Sequence, residues 1–230
     1  MKAKQKLAAK GGAVGGVVAA ILGAVFYMEG GYVNNPHDPG GETNHGITQS
    51  VAKSHKEVLA TEYGWDGSMK GLSKEMAAEI YIDDYVLKPN FVAFADISPA
   101  VTHKLVDAGV NTGVTRPAKW LQLSLNEMSR DGKDYPKIQV DGKVGAGTVN
   151  AYKALQKKRG KVAACKVMIK LLDAKQLNHY TSLNMPDFTY GWVANRIGNV
   201  PLEACNEDAH LYRLALSSGG GPRGHHLLLG

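Results

Sequence analysis

The sequence predicts a mainly α-helical protein with one small β excursion near residues 32–48 and a second helical module behind it. Three observations predict it. Apolar residues recur at helical spacing over 73–87, 99–112 and 120–128. Turn-forming residues crowd into 30–46, with short β-prone pieces beside them. Long strands are scarce, and no period suggests a repeat array. At 230 residues the chain suits one elaborated domain or two small ones, and is long enough to bury a core without staples.

The formal net charge is +6. Lys2, Lys4, Lys6 and Lys10 stand in the first 28 residues, where there is no acid, so the remaining body is only mildly basic overall. That argues against a nucleic-acid partner, which calls for Lys and Arg gathered on one face, and fits work near polyanions of the cell envelope. Cys165 and Cys205 form no CxxC pair, so a zinc or thioredoxin-like motif is unsupported; they either pair in an oxidising compartment or lie as two buried thiols.

After the lysines, residues 11–28 read GGAVGGVVAAILGAVFYM, without a charge. The layout is that of an export signal, and the length touches the lower limit of a membrane-spanning helix. Gly and Ala dominate, so insertion is only marginally favourable. Three readings compete: a cleaved signal peptide, a permanent anchor pairing through Gly11-xxx-Gly15 or Gly12-xxx-Gly16, and a weak anchor that leaves the bilayer and joins the folded protein. The third is preferred. A cut near Ala24 would remove most of the helix that leads to Glu29, and a span poor in large side chains also fits against soluble protein.

Residues 29–48 read EGGYVNNPHDPGGETNHGIT. Gly30 and Gly31 after a helical run are stop signals. Asn34-Asn35-Pro36 and Asp38-Pro39-Gly40-Gly41 are turn chemistry. Tyr32-Val33 and Gly46-Ile47-Thr48 are β-prone. Glu29 is thus expected at a helix end, with Asp38 and Thr43 on a β excursion folding back towards it. A carboxyl beside an apolar helix is partly desolvated, which raises its pKa, while one in a polar turn ionises easily. Such a pair suits glycoside hydrolysis, in which an acid protonates the leaving oxygen and a second polar group positions water or stabilises the cationic sugar.

The run Glu29-Gly30-Gly31-Tyr32-Val33-Asn34-Asn35-Pro36, then Asp38-Pro39-Gly40-Gly41-Glu42-Thr43, then Gly46-Ile47-Thr48, resembles the signature of glycoside hydrolase family 108, muramidases of the lysozyme superfamily. The resemblance implies an α+β, lysozyme-like catalytic region with Glu29 as the acid. The Glu–Asp–Thr spacing resembles the triad of phage lysozymes and puts Asp38 and Thr43 in support. Tyr32 either stacks on a sugar or packs in the core. His45 and Asn111 are candidate substrate contacts, with surface exposure and helix capping as their plainer fates. Glu42 alternates to the face opposite Thr43 and is expected to be structural. His37 and His45 lack the convergent spacing of metal ligands, so neither a metal nor a cofactor is expected. The apolar run before Glu29 departs from the family pattern and resembles signal-arrest-release endolysins, exported uncleaved and freed on depolarisation.

Downstream, 73–87 is expected as a helix with Ser73 as N-cap and Pro89 as its end. Residues 99–112 are expected as a helix turning Val101, Leu105, Val106 and Val110 to one side and ending near Gly113. A boundary is expected at Arg116-Pro117. Trp120, Leu121, Leu125 and Met128 then share a helix face, and Ser129–Lys137 is a loop. Trp120-Leu121-Gln122 with the later Asp141-Gly142 turn resembles a peptidoglycan-binding module, which 188–200 would close; its Trp192 is expected to pack in the core. Residues 161–183 read as a long helix with a basic outer face.

The expected division is 1–28 as membrane segment, 29–115 as catalytic domain, 116–205 as peptidoglycan-binding-like module and 217–230 as flexible tail. The expected activity is an endolysin cutting the β-1,4 bond between N-acetylmuramic acid and N-acetylglucosamine. It would first be held in the host inner membrane by residues 11–28, with the N-terminus cytoplasmic, and then be released to the periplasm as a monomer. A peptidoglycan amidase or peptidase and a non-catalytic murein-binding secretion accessory are the rival classes. Whether the sugar configuration inverts or is retained stays open.

Overall fold

The computed structural model describes residues 2–28, 31–34 and 41–206. Ten α-helices lie among them, with one two-stranded sheet, so the fold is mainly α with a small β excursion, as the sequence predicts. The chain divides into two compact units, Met1–Lys88 and Pro89–Gly230.

In the first unit, α1 (Ala3–Ala8) leads into α2 (Gly12–Met28). The buried side of α2 carries Val14, Val17, Val18, Ile21, Leu22 and Val25. Its solvent side is Gly12, Ala13, Ala19 and Gly23. The helix is apolar all round, but its outer face is built from the residues with least apolar area to expose. Among the described residues no helix is long and apolar enough to cross a membrane.

α1 is seated by one carboxylate. Glu79 is buried and accepts the backbone N–H of Ala3, that of Lys4 at 3.4 Å and the Tyr63 hydroxyl at 3.0 Å. A negative charge at a helix N-terminus satisfies donors that have no partner inside the helix. Burial, reinforced by Glu79, pushes Tyr63 up to about 12, so its hydroxyl remains a donor. Lys2 pairs with Glu62 at 3.4 Å and lies over the Tyr63 ring, and Lys6 pairs with Asp83 at 3.6 Å.

β1 (Thr43–Asn44) and β2 (Ile47–Thr48) form an antiparallel hairpin, and Thr48 then caps α3 (Gln49–Ser54) by accepting from the Val51 N–H. α4 (Lys56–Tyr63) ends at Gly64 in the left-handed conformation, whose N–H returns to the Ala60 carbonyl. α5 (Lys74–Tyr81) is capped by Ser73 as predicted. Beyond it, 82–87 is wound as a π-helix where one continuous α-helix was expected. The wider turn carries Asp83 and Asp84 together to Lys88, at 2.9 and 2.6 Å.

In the second unit, a 3-10 turn (Phe91–Phe94) precedes α6 (Pro99–Thr112), which stops at Gly113 as expected. The one-sided burial expected of α6 gives way to burial nearly all round, which takes in His103, Lys104 and Asp107. The cause is its central place, packed on α7 (Thr115–Met128), α9 (Lys161–Ser182) and the 3-10 turn. The buried charges are answered in place. Lys104 Nζ lies 2.6 Å from Asp173 and donates to the Arg196 carbonyl at 2.7 Å and to Asn199 Oδ1 at 3.1 Å. Arg196 pairs with Asp107 at 2.8 Å.

Two amides one turn apart on α7 hold the loop that follows it. Gln122 Nε2 donates to Asp141 at 2.8 Å and to the Lys143 carbonyl at 3.0 Å, while its oxygen accepts the Gly142 N–H at 2.8 Å. Asn126 brackets Ile138 in the same way, at 2.7 and 2.8 Å. Gly142 has a φ of +77°, and a Cβ there would lie 2.9 Å from Thr115 Cγ2, so only glycine fits. α8 (Ala146–Arg159) follows, its Tyr152 packed on Phe94.

α10 (Pro186–Arg196) contains no buried residue. Trp192, expected in the core, is instead half-buried: it stacks between Tyr180 and Phe188 on a helix that lies along α9 and whose end is tied by the Arg196–Asp107 pair. Cys165 and Cys205 are joined by a disulfide, closing a separation of 40 residues. A loop of that size removes roughly 4 kcal/mol of denatured-state entropy in the chain-entropy description.

Burial drives the His103 imidazole down to about 4; Asp107 opposes the shift and Lys104 adds to it. The folded value lies below the ordinary 6.5, so on acidification the unfolded chain takes up its proton first. Stability from this group is full above pH 6.5 and is lost as pH falls towards 4, by about 3 kcal/mol. Urea unfolding at pH 7, 5.5 and 4 is expected to show a smaller acid loss in His103→Gln than in the parent; equal losses would refute the assignment.

Candidate active site

α2 ends at Met28, and Glu29 is the next residue in the chain. Glu29, His37 and Asp38 lie outside the described residues, and so does the 217–230 tail. What the structure does show is the platform on which the β excursion is built.

Thr43 is placed by backbone bonds in two directions. Its N–H and carbonyl exchange bonds with Val33 at 2.9 and 2.8 Å, and it stands opposite Thr48 across the hairpin. The expected β-prone pieces therefore meet, with Val33 bridged to β1. The hairpin turns on His45 and Gly46, with φ of +51° and +74°. Two successive positive φ values are the mark of a tight turn that matches strand twist. His45 thus serves as a turn residue, which its sequence did not announce. Burial and nearby Lys74 hold its imidazole below the ordinary value, against an opposing pull from Glu75.

Asn44 carries no signal in the sequence, yet it fastens the hairpin. It is buried, and its Nδ2 donates to the Met69 carbonyl at 2.8 Å and the Leu72 carbonyl at 3.3 Å. Tyr81 OH donates to the His45 carbonyl at 3.4 Å. Tyr32 is partly exposed, with Lys70 Nζ 5.4 Å from its ring centroid. Glu42 contributes its carbonyl to the Gln49 N–H at the start of α3. In the second unit, Asn111 donates to the Asp107 carbonyl one turn back at 2.8 Å, so its amide is engaged along its own helix.

A second cluster joins His55, Asp83 and Asp84, whose ligand-type atoms lie within 4.8 Å of one another. His55 Nε2 is 2.8 Å from Asp84. Burial works against the Asp84 charge, but hydrogen bonds from His55 and Lys88 outweigh it and keep the carboxyl below its ordinary value. Lys88 stands between both carboxylates and Lys6 beside one, so the cluster is already charge-compensated. It works as a clamp from the α3–α4 junction to the π turn.

Charge is unevenly spread along the chain. Residues 116–197 hold fifteen Lys and Arg against six Asp and Glu, whereas residues 29–115 hold six against twelve. The mild net basicity of the body conceals an acidic front half and a strongly basic rear module.

The first unit thus carries a short hairpin pinned through Asn44 and an apolar α2, and a strongly basic helical stretch follows in the chain. The sequence profile of the family described as Glycosyl hydrolase 108 matches residues 22–113, and that of a Predicted Peptidoglycan domain matches 116–197. The solved structure of Brucella abortus SagA is similar, at 30% identity and a TM-score of 0.58, over 83% of this chain and 95% of that one. No curated protein matches the chain. The chain belongs to the glycosyl hydrolase 108 family and is a glycoside hydrolase acting on peptidoglycan.

Replacing Asn44 by Ala is expected to cost about 1–3 kcal/mol, since the buried Leu72 carbonyl loses its side-chain donor and the Met69 carbonyl keeps only the Leu72 N–H. Asn44→Asp is expected to cost more, by setting an acceptor against two acceptors. Thermal melts of the three proteins check the order; equal melting temperatures would remove Asn44 from its fastening role.

Proposed function

We propose that the protein is an endolysin that hydrolyses the β-1,4 bond between N-acetylmuramic acid and N-acetylglucosamine. Glu29 donates a proton to the leaving oxygen, and water supplies the hydroxyl that ends up on the anomeric carbon. Asp38 and Thr43 position that water or stabilise the oxocarbenium-like state. The observation that carries this reading is the family match over 22–113, which contains the whole Glu29–Thr43 run. No step requires a cofactor.

The proposal extends to delivery. The folded setting of α2 favours a segment able to occupy two environments. It has no charge to bar it from a bilayer, and its water-facing side is Gly and Ala, so exposure after release costs little. The basic α1 has a receptor in the folded protein, formed by Glu79, Glu62 and Asp83. Residues 11–28 therefore serve first as a weak anchor in the inner membrane. After release to the periplasm they serve as part of the enzyme, while an anchored α2 cannot join the fold. A disulfide between Cys165 and Cys205 accords with an oxidising compartment.

Incubation of purified sacculi with the parent is expected to release reducing sugar ends, and Glu29→Gln is expected to lower the rate by at least a hundredfold with folding intact. Free amines in place of reducing ends would make the enzyme an amidase or peptidase, and binding without solubilisation would make it an accessory protein.

In a Gram-negative expression host, the protein is expected in the membrane fraction before a depolarising agent is added and in the periplasm afterwards. Uncleaved protein that is periplasmic from the start would rule out the anchor.

A further inference from the structure

The rear module carries a groove that the chemistry of the first unit does not use. It lies between α7 and α9, has a volume of about 380 Å³, and is lined by Trp120, Leu123, Leu171, Ala174, Lys175 and Asn178. That volume falls within the roughly 300–1,000 Å³ of small-ligand sites. The lining is mostly apolar with polar groups at one side, as in sites that hold amphipathic ligands. Leu123 is 41% exposed, although Leu125, a little further along the same helix, is fully buried.

Trp120 also begins a line of rings. Its centroid is 5.8 Å from that of His179, and beyond His179 come Tyr180, Trp192 and Phe188 at successive spacings of 6.1, 5.3 and 5.7 Å. Tyr180 is buried in the middle of the line; at one end half-buried Trp120 lies in the groove, and at the other Phe188 on α10 is exposed. Packing alone does not account for these ends, since Phe188 is 54% and neighbouring Tyr190 75% exposed.

We propose that this groove is a glycan-strand subsite, in which Trp120 stacks against the apolar face of an amino-sugar ring. The occupant is argued from chemistry. A pyranose ring offers C–H faces to an aromatic plane and hydroxyls and acetamides to its edge, which Asn178 and Lys175 meet. Lys175 is paired with Glu127 at 2.9 Å, so the groove itself is close to neutral and suits a sugar rather than an anion. The charge complement lies around it. The module's excess of nine basic residues faces a polymer whose stem peptides carry carboxylates, which raises local concentration without selecting the ring. The groove thus supplies recognition, and the lysines supply attraction.

This inference rests on the reading of the chain as a peptidoglycan glycosidase, so binding and cleavage are measured separately. Binding uses the full chain carrying Glu29→Gln, titrated into peptidoglycan sacculi and into glycan strands stripped of their stem peptides. Trp120→Ala is expected to weaken both at least tenfold, and Trp120→Phe to restore most of the loss. Leu123→Glu, at an exposed position, is expected to weaken both as well and guards against misfolding of the first variant. Cleavage by Trp120→Ala on the Glu29-containing background is expected to be slowed on sacculi by more than on a short soluble glycan.

Unaltered binding in Trp120→Ala and Leu123→Glu would overturn the subsite, as would binding lost with the stem peptides. Loss of self-association in the same variants would make the groove a seat for a second copy, and tighter binding to duplex DNA than to sacculi would make it a polyanion surface; either overturns the proposal. Failure of the parent to cleave any glycan, with Trp120-dependent binding intact, would strike the enzymatic reading and leave the subsite standing.

Discussion

The structure of the first unit depends on a buried carboxylate placed at the start of a helix. Glu79 has no room to be hydrated, and its charge is met by two backbone N–H groups of α1 and the Tyr63 hydroxyl. Hydrogen bonds to a charged acceptor are worth about 1.5–3 kcal/mol each, enough to secure a six-residue helix that would not persist alone. Fixing α1 fixes the beginning of α2, and the far end of α2 adjoins Glu29 in the chain. The acid assigned to catalysis is therefore reached through a helix anchored at its opposite end by another acid. The two carboxyls have opposite requirements. Glu79 must remain an acceptor to hold α1, whereas the role proposed for Glu29 is to give up a proton.

Much of this is legible in the sequence. Glycine announces the end of α6 at Gly113 and the turn at Gly142 cheaply, because their positive φ leaves no other residue at ease. Helical spacing locates α5, α6 and α7. The residues Trp120-Leu121-Gln122 and Asp141-Gly142 are correctly associated by their pattern, though their physical link, the Gln122 amide spanning the turn, is not visible there. What stays hidden depends on contact at long sequence separation. Asn44 reaches Met69 and Leu72, Glu79 reaches Ala3, and Lys104 reaches Arg196 and Asp173. No local pattern marks a polar residue for burial when its partner is dozens of residues away. The π turn after Tyr81 is concealed for a related reason: the pull of His55 on Asp84 and of Lys6 on Asp83 is tertiary.

α10 departs from expectation on the same physical grounds. A tryptophan in an amphipathic-looking segment is a sound bet for the core when packing is what holds the segment. Here Arg196–Asp107 and the Lys104 bond to the Arg196 carbonyl hold it by its end, and both lie against the buried polar face of α6. An element secured by charge at one point is free to present its rings outward. Exposed aromatic area carries a standing cost in water, which a binding role would justify.

The distribution of charge follows from the physics of acting on an immobile polymer. Bonds on a polymer strand become available only where the enzyme lingers, and lingering need not come from the part that does the chemistry. A basic module concentrates the protein at the carboxylated wall. If residues 29–115 were equally basic, attraction would hold the catalytic segment itself to stem peptides, and departure after each cut would slow. With six basic residues against twelve acidic ones, that segment is instead repelled by the same carboxylates that attract the module. Opposed charges along one chain thus separate holding from cutting. Screening at high salt weakens both forces together, so the separation depends on position in the chain more than on the strength of either.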